Sequence, residues 1–162
     1  MTWQIVSTSS DATVRLGELF GKNIRLPALI ELRSDLGGGK TTFTRGLARG
    51  FGSSDVVASP TFTLSKIYTN NKHQQIHHFD FYRLSEPGVV ADQLAESLEN
   101  QKVLTVVEWS DVVKNVLPKD RLSIEIKPLA ASEDERQIVV TYSESQTQLL
   151  RAIETEWAQG RP

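Results

Sequence analysis

Lys40 and Thr41 close a glycine-rich run, Ser34-Asp35-Leu36-Gly37-Gly38-Gly39-Lys40-Thr41-Thr42, whose residue types suit one chemistry. Successive glycines let backbone N–H groups curl toward one point without interference from Cβ atoms. A helix starting at the lysine adds its unpaired N–H groups and about half a positive charge at its first turn. Lys40 then supplies a full charge to the β- and γ-phosphates of a nucleotide, and the Thr41 hydroxyl supplies a ligand for Mg²⁺. The pattern for such a loop is GxxxxGK[ST], and Ser34 stands where the first glycine is asked for. A serine strains that turn only if its φ must be positive.

Binding phosphate is not yet hydrolysis. Mg²⁺ needs further oxygen ligands, and an attacking water must be oriented. Two carboxylates are candidates. Glu108 ends the apolar run Val103-Leu104-Thr105-Val106-Val107, where an acid without a task is expensive. Asp80 lies in His78-Phe79-Asp80-Phe81-Tyr82, whose alternation puts Phe79 and Phe81 on one face and His78, Asp80 and Tyr82 on the other. Thr61, in Ser59-Pro60-Thr61, either senses a γ-phosphate through the metal, as switch loops do, or bonds its own turn. Trp109 is either core or an aromatic beside the nucleotide. Arg45 and Arg49 form a solvated helix face or a phosphate contact to a partner or tRNA. His77 and His78 point to opposite faces of a strand and cannot easily share an ion.

These residues must be carried by a frame that the pattern also outlines. The apolar run Leu26–Leu32 is a buried strand leading into the loop, and a helix from Lys40 to Gly50 or Gly52 leads away from it. Before it come a short strand within Met1–Ser7 and a helix capped by Ser9, Ser10 or Asp11, with Gly21 as its expected C-cap. After it, Ser59-Pro60-Thr61 is a short loop ahead of a strand predicted by the alternation in the tail of Ser59–Leu64 and continued from Lys66 to Tyr68. That strand is paired through the Thr69–Lys72 turn with a returning strand, Gln75–Tyr82. Pro87-Gly88 breaks the chain before a helix over Val89–Asn100. Leu122, Ile124 and Ile126, and then Ile138, Val140 and Tyr142, predict an antiparallel pair of strands; Leu149, Leu150, Ile153 and Trp157 mark a last helix. The whole is an α/β domain over residues 1–162, frayed at 158–162. Its mixed sheet has a parallel core and antiparallel strands, with helices on both faces and the P-loop NTPase-like arrangement. Ligands of such sheets sit beyond the carboxyl ends of the parallel strands, here Leu32 and Val107.

The bulk composition narrows the class. The 162 residues carry a net charge of −2, without the basic excess usual in nucleic-acid binders. No cysteine is present, which excludes disulfide and thiolate chemistry. The first residues lack a signal-peptide pattern and no apolar stretch is long enough for a membrane helix, so the expected location is cytoplasmic, with no membrane partner. Asn71-Lys72 is not followed by the aspartate that guanine recognition would need, which argues against a GTPase. A small-molecule kinase would need a substrate domain for which there is little room. A non-enzymatic nucleotide switch stays open.

Taken together, Asp35 to Phe43, Ser59-Pro60-Thr61-Phe62-Thr63, His78-Phe79-Asp80-Phe81-Tyr82-Arg83-Leu84 and Val107-Glu108-Trp109 resemble the TsaE (YjeE) family in order and spacing. This is the bacterial ATPase family of tRNA threonylcarbamoyladenosine biosynthesis, and the resemblance covers nearly the whole chain. It implies ATP and Mg²⁺ as cofactors and slow, partner-dependent hydrolysis. It also implies the TsaB–TsaD pair as partner, with tRNA reached only through that complex. By position it implies nucleotide contacts from Leu36, Gly37, Gly38, Gly39, Lys40, Thr41 and Thr42. Thr41 and Glu108 would hold the metal, Asp80 would assist the metal or the water, Thr61 would belong to a switch-like loop, and Trp109 would sit at the nucleotide end. Ser10 and a residue of the C-terminal loop, Glu133 or Arg136, would approach the base or sugar. Two departures stand out: Ser34 replaces the family's glycine, and Gly38 stands where alanine is usual.

Overall fold

In the computed structural model, residues 1–82, 84–86, 88–130, 132 and 134–160 are described. Seven strands form one mixed sheet: β1 (Thr2–Ser7), β2 (Ala28–Arg33), β3 (Ser65–Thr69), β4 (Gln75–Asp80), β5 (Val103–Glu108), β6 (Leu122–Pro128) and β7 (Arg136–Thr141). Their order across the sheet is β1-β7-β6-β2-β5-β4-β3. β6, β2, β5 and β4 are parallel, while β7, β1 and β3 add antiparallel edges. The helices are α1 (Ser10–Asn23), α2 (Lys40–Phe51), α3 (Gly88–Glu99) and α4 (Thr147–Gln159).

Alternation along the strands sorts the side chains into two cores. Ile30 and Leu32 of β2, Leu104 and Val106 of β5 and Ile76 of β4 meet Leu16 and Phe20 of α1, Phe43 and Leu47 of α2, and Leu150 and Ile153 of α4. Leu29, Phe79 and Val107 point the other way, onto Val90 and Leu94 of α3 and Val113 and Leu117. Helices therefore cover both faces, as expected. Phe79 and Phe81 share the second core and stack at 6.3 Å, which leaves His78 and Asp80 on the α1–α2 face.

Two local expectations fail for non-local reasons. Gly21 does not cap α1, which continues to Asn23. It lies at the crossing with α2, where a Cβ would stand 2.1 Å from the Leu47 carbonyl oxygen. Gly46 plays the reciprocal part, with a Cβ position 1.9 Å from the Val14 oxygen. The strand expected from the tail of Ser59–Leu64 begins only at Ser65. Pro60 O accepts the N–H groups of Thr63 and Leu64, and Leu64 has φ +65°, so residues 60–64 form a turn instead.

Candidate functional site

The parallel strands bring their carboxyl ends into one row. Leu32 of β2 is in register with Glu108 of β5, and Glu108 with Asp80 of β4. The glycine loop leaves β2 at that same end and feeds α2. Its turns use glycine where φ is positive, at Gly37 (+76°) and Gly39 (+115°), the N-cap of α2. Ser34 has no positive φ and carries no backbone strain. Its side chain fills space instead: a Cβ on Gly38 would lie 1.8 Å from Ser34 Oγ. Ser34 and Gly38 therefore share one space in the loop.

A cleft of about 600 Å³ opens between this loop and the β4 and β5 ends, lined by Leu36 through Thr42, Ser59, Thr61, Phe62, Asp80, Tyr82, Glu108 and Trp109. Lys40 is 7% exposed, and its Nζ donates to the carbonyls of Ser34 (3.0 Å) and Asp35 (3.1 Å). It lies 3.9 Å from Glu108 Oε2 and 4.9 Å from the centre of the Trp109 ring. Asp80 and Glu108 are each 2% exposed. Thr61 Oγ1 donates to Asp80 Oδ2 at 2.6 Å, and the Tyr82 N–H donates to Asp80 Oδ1 at 2.8 Å. Thr61 also meets Ser59 Oγ at 2.7 Å, so it is both a turn residue and a group in the cleft. Hard oxygen donors from Thr41, Asp80 and Glu108, beside a buried ammonium, suit Mg²⁺ rather than a softer metal.

Trp109 has a place in the core and a face on the cleft. It packs partly into the second core, and it faces Lys40 and Tyr82 (rings 4.9 Å apart). Its backbone is left-handed, φ +55°. The next residue explains how that is held: the Ser110 hydroxyl donates to buried Glu31 on β2, which also receives Arg121 Nε at 3.0 Å. Burial works to raise the Glu31 pKa, but hydrogen bonds from Ser110 and Arg121 and the charges of Arg121 and Arg33 outweigh it and hold the carboxyl below its ordinary 4.5. Sequence reasoning missed Glu31, although an acid inside the run Leu29–Leu32 was a signal.

The remaining expected residues lie at the margin. Arg136 begins β7 and donates through Nε to Gly38 O at 3.2 Å, bracing the loop from behind. It is paired with Ser7, the last residue of β1, so Ser10 at the start of α1 sits at the same end of the sheet, exposed and outside the cleft lining. Glu133 lies outside the described residues. Asn71 and Lys72 occupy the β3–β4 turn, at the end of β4 opposite Asp80, too far along the strand to read a base bound at the loop. Arg49 pairs with Glu18 at 2.8 Å on the exposed face of α2. Among the described residues no cluster of three His, Cys, Asp or Glu groups has metal-site spacing, and no helix is long and apolar enough to cross a membrane.

The model of the family described as "Threonylcarbamoyl adenosine biosynthesis protein TsaE" matches residues 7–138. The chain belongs to the TsaE family. It is 36% identical over 141 residues to the tRNA threonylcarbamoyladenosine biosynthesis protein TsaE of Bacillus subtilis, covering 87% of this chain and 85% of that one. The TsaE of Treponema pallidum is 33% identical over 135 residues, covering 83% and 97% of the two chains. The crystal structure of YdiB from Bacillus subtilis superposes with a TM-score of 0.79 at 29% identity, over 96% of each chain. The family role, tRNA threonylcarbamoyladenosine biosynthesis, therefore applies to this TsaE chain, and the mixed sheet with its flanking helices is the family's fold.

Proposed function

We propose that this TsaE chain is the Mg²⁺-dependent ATP-hydrolysing subunit required to form the threonylcarbamoyl group on adenosine 37 of tRNAs that read codons beginning with A. It acts with the TsaB–TsaD pair and meets tRNA only through that complex. The observation that supports this most is convergence: Lys40, Thr41, Thr61, Asp80 and Glu108 come from four separate segments into one cleft at the carboxyl ends of the parallel strands.

The roles follow from position. The N–H groups of Leu36 to Thr42 and the Lys40 ammonium bind the phosphates in the concavity of the glycine loop. Thr41, Glu108 and Asp80 hold the metal, which when bound neutralises charge building on the phosphate oxygens. Asp80 and Glu108 are the groups that can orient the attacking water, and Thr61 reports the γ-phosphate from its place on Asp80. Trp109 borders the phosphate end and excludes water there. Arg136 and Ser10 stand toward the base and sugar.

The test separates this reading from a nucleotide-dependent binding module with incidental hydrolysis. Lys40→Ala should abolish nucleotide binding. Glu108→Ala should bind ATP yet stop both hydrolysis and tRNA modification, read by mass spectrometry of tRNA nucleosides. Normal threonylcarbamoyladenosine in cells carrying only Glu108→Ala would leave the binding-module reading standing. Fast turnover by the isolated chain, unchanged by TsaB–TsaD, would contradict the partner dependence.

A further inference from the structure

His78 is the buried polar residue that the chemistry above does not use. It lies in β4 two residues before Asp80, in register with Lys66 of β3 and Val106 of β5, with its side chain fully buried. Its Nε2 is 2.8 Å from Glu108 Oε1. A carboxylate oxygen accepts, so the Nε2–H donates. The ring's Nδ1 is buried and has no hydrogen-bond partner among the described residues. An apolar side chain would fill the same space beside Tyr68 (ring centres 6.3 Å apart) without burying an unpaired nitrogen. Packing alone therefore does not account for an imidazole here; the Nε2–H does.

The two Glu108 oxygens have different surroundings. Oε1 belongs to His78, and Oε2 lies 3.9 Å from Lys40 Nζ. The Lys40 ammonium gives hydrogen bonds to the Ser34 and Asp35 carbonyls, so the His78 Nε2–H supplies a hydrogen bond that fixes how the Glu108 carboxylate is turned. Resting on the hydrolytic reading above, we infer that His78 is a positioning residue for Glu108. It holds Oε1 from inside the sheet and so keeps Oε2 presented to the cleft, at the place where the metal and water are expected. This is the arrangement by which a hydrogen-bonded partner behind a ligand fixes that ligand's direction.

The full-length chain tests this in two ways. In the unaltered protein, long-range ¹H–¹⁵N spectra should show His78 protonated at Nε2, and Glu108→Gln should shift that nitrogen. An Nδ1–H ring, or one that ignores Glu108→Gln, overturns the inference. The second test compares three substitutions, each first shown to be folded by its melting transition. A glutamine amide nitrogen extends as far as imidazole Nε2, whereas an asparagine amide reaches only as far as Nδ1. His78→Leu and His78→Asn should raise the Mg²⁺ concentration that half-saturates metal-dependent tightening of ATP binding by about 10-fold or more, the effect usual for loss of such a partner. Affinity for ATP without metal should stay within about two-fold, and His78→Gln should restore most of the Mg²⁺ response. Equal Mg²⁺ responses in His78→Gln and His78→Leu would overturn the inference. If the unaltered chain binds Mg²⁺ and ATP but never hydrolyses it, the hydrolytic reading fails while these tests still decide the place of His78.

Discussion

Gly38→Ala is the substitution whose outcome the loop geometry most constrains. Gly38 has no positive φ, so its backbone accepts alanine and only space opposes it. The added Cβ would lie 1.8 Å from Ser34 Oγ, 3.1 Å from Asp35 O and 3.2 Å from Ser34 Cβ. Ser34 Oγ must swing away, losing its 3.2 Å hydrogen bond to Asp35 O, worth about 0.5 kcal/mol at an exposed site. The remaining crowding presses on Asp35 O, which also accepts Lys40 Nζ and the Gly38 N–H. Overpacking of this kind costs about 1–3 kcal/mol, so a loss of folding stability near ~2 kcal/mol is expected. In a Ser34→Gly background the closest atom is gone, and the same alanine should cost only about 0.5 kcal/mol. Denaturant unfolding of the parent, both single variants and the double variant measures the coupling, expected at about 1.5 kcal/mol. Additivity within about 0.5 kcal/mol would refute the idea that Ser34 and Gly38 share one space.

Other outcomes follow from the same geometry. Trp109→Leu removes the ring facing the buried Lys40 ammonium and should weaken ATP binding by about 5- to 30-fold, the worth of a cation–π contact of about 1–2 kcal/mol away from water, as read by calorimetry. Glu31→Gln should lower stability near neutral pH by about 1–3 kcal/mol, because it weakens the charged bonds to Arg121 and Ser110. The Glu31 pKa is depressed in the folded chain, so its contribution is present above the ordinary value of 4.5 and is lost as pH falls through the folded value. Melting curves of the parent and Glu31→Gln should therefore converge on acidification below about pH 4.5; a constant gap across that range would contradict the assignment. Gly46→Ala should cost about 3 kcal/mol of steric strain against the Val14 carbonyl and regain about 1 kcal/mol of helix propensity, lowering the melting temperature by roughly 4–8 °C. An unchanged or higher melting temperature would show that the two helices can part at that point.

What could be read from the sequence divides along the reach of each signal. The glycine loop, its strand and its helix are contiguous, so local pattern was enough. Strand parity was also enough to set His78 and Asp80 on one face and Phe79 and Phe81 on the other. Gly21 and the stretch 62–64 were misread because the deciding contacts are remote or specific to backbone geometry: Leu47 O across a helix crossing, and a carbonyl of Pro60 that takes two N–H groups. The His78–Glu108 bond joins residues whose adjacency depends on β4 lying beside β5. The parity of β4 had already pointed His78 toward the face that carries Glu108, but nothing local named its partner.

Strand β2 explains why so short a chain can hold this site firmly. Its Ile30 and Leu32 are locked into the helical core, which fixes the point where the glycine loop departs. Its Glu31, between them, faces the opposite side and takes the Ser110 hydroxyl. That bond fixes the chain directly after Trp109, whose left-handed backbone costs about 1–2 kcal/mol for a residue with a Cβ. The cost is sustainable because Glu31 is itself buried and bonded to Arg121, so the anchor does not drift. One strand thus sets the phosphate loop from its end and the Glu108–Trp109 turn from its far face. The two halves of the cleft are referred to the same rigid element, and the pairing of β2 with β5 brings the loop that carries Lys40 beside Glu108.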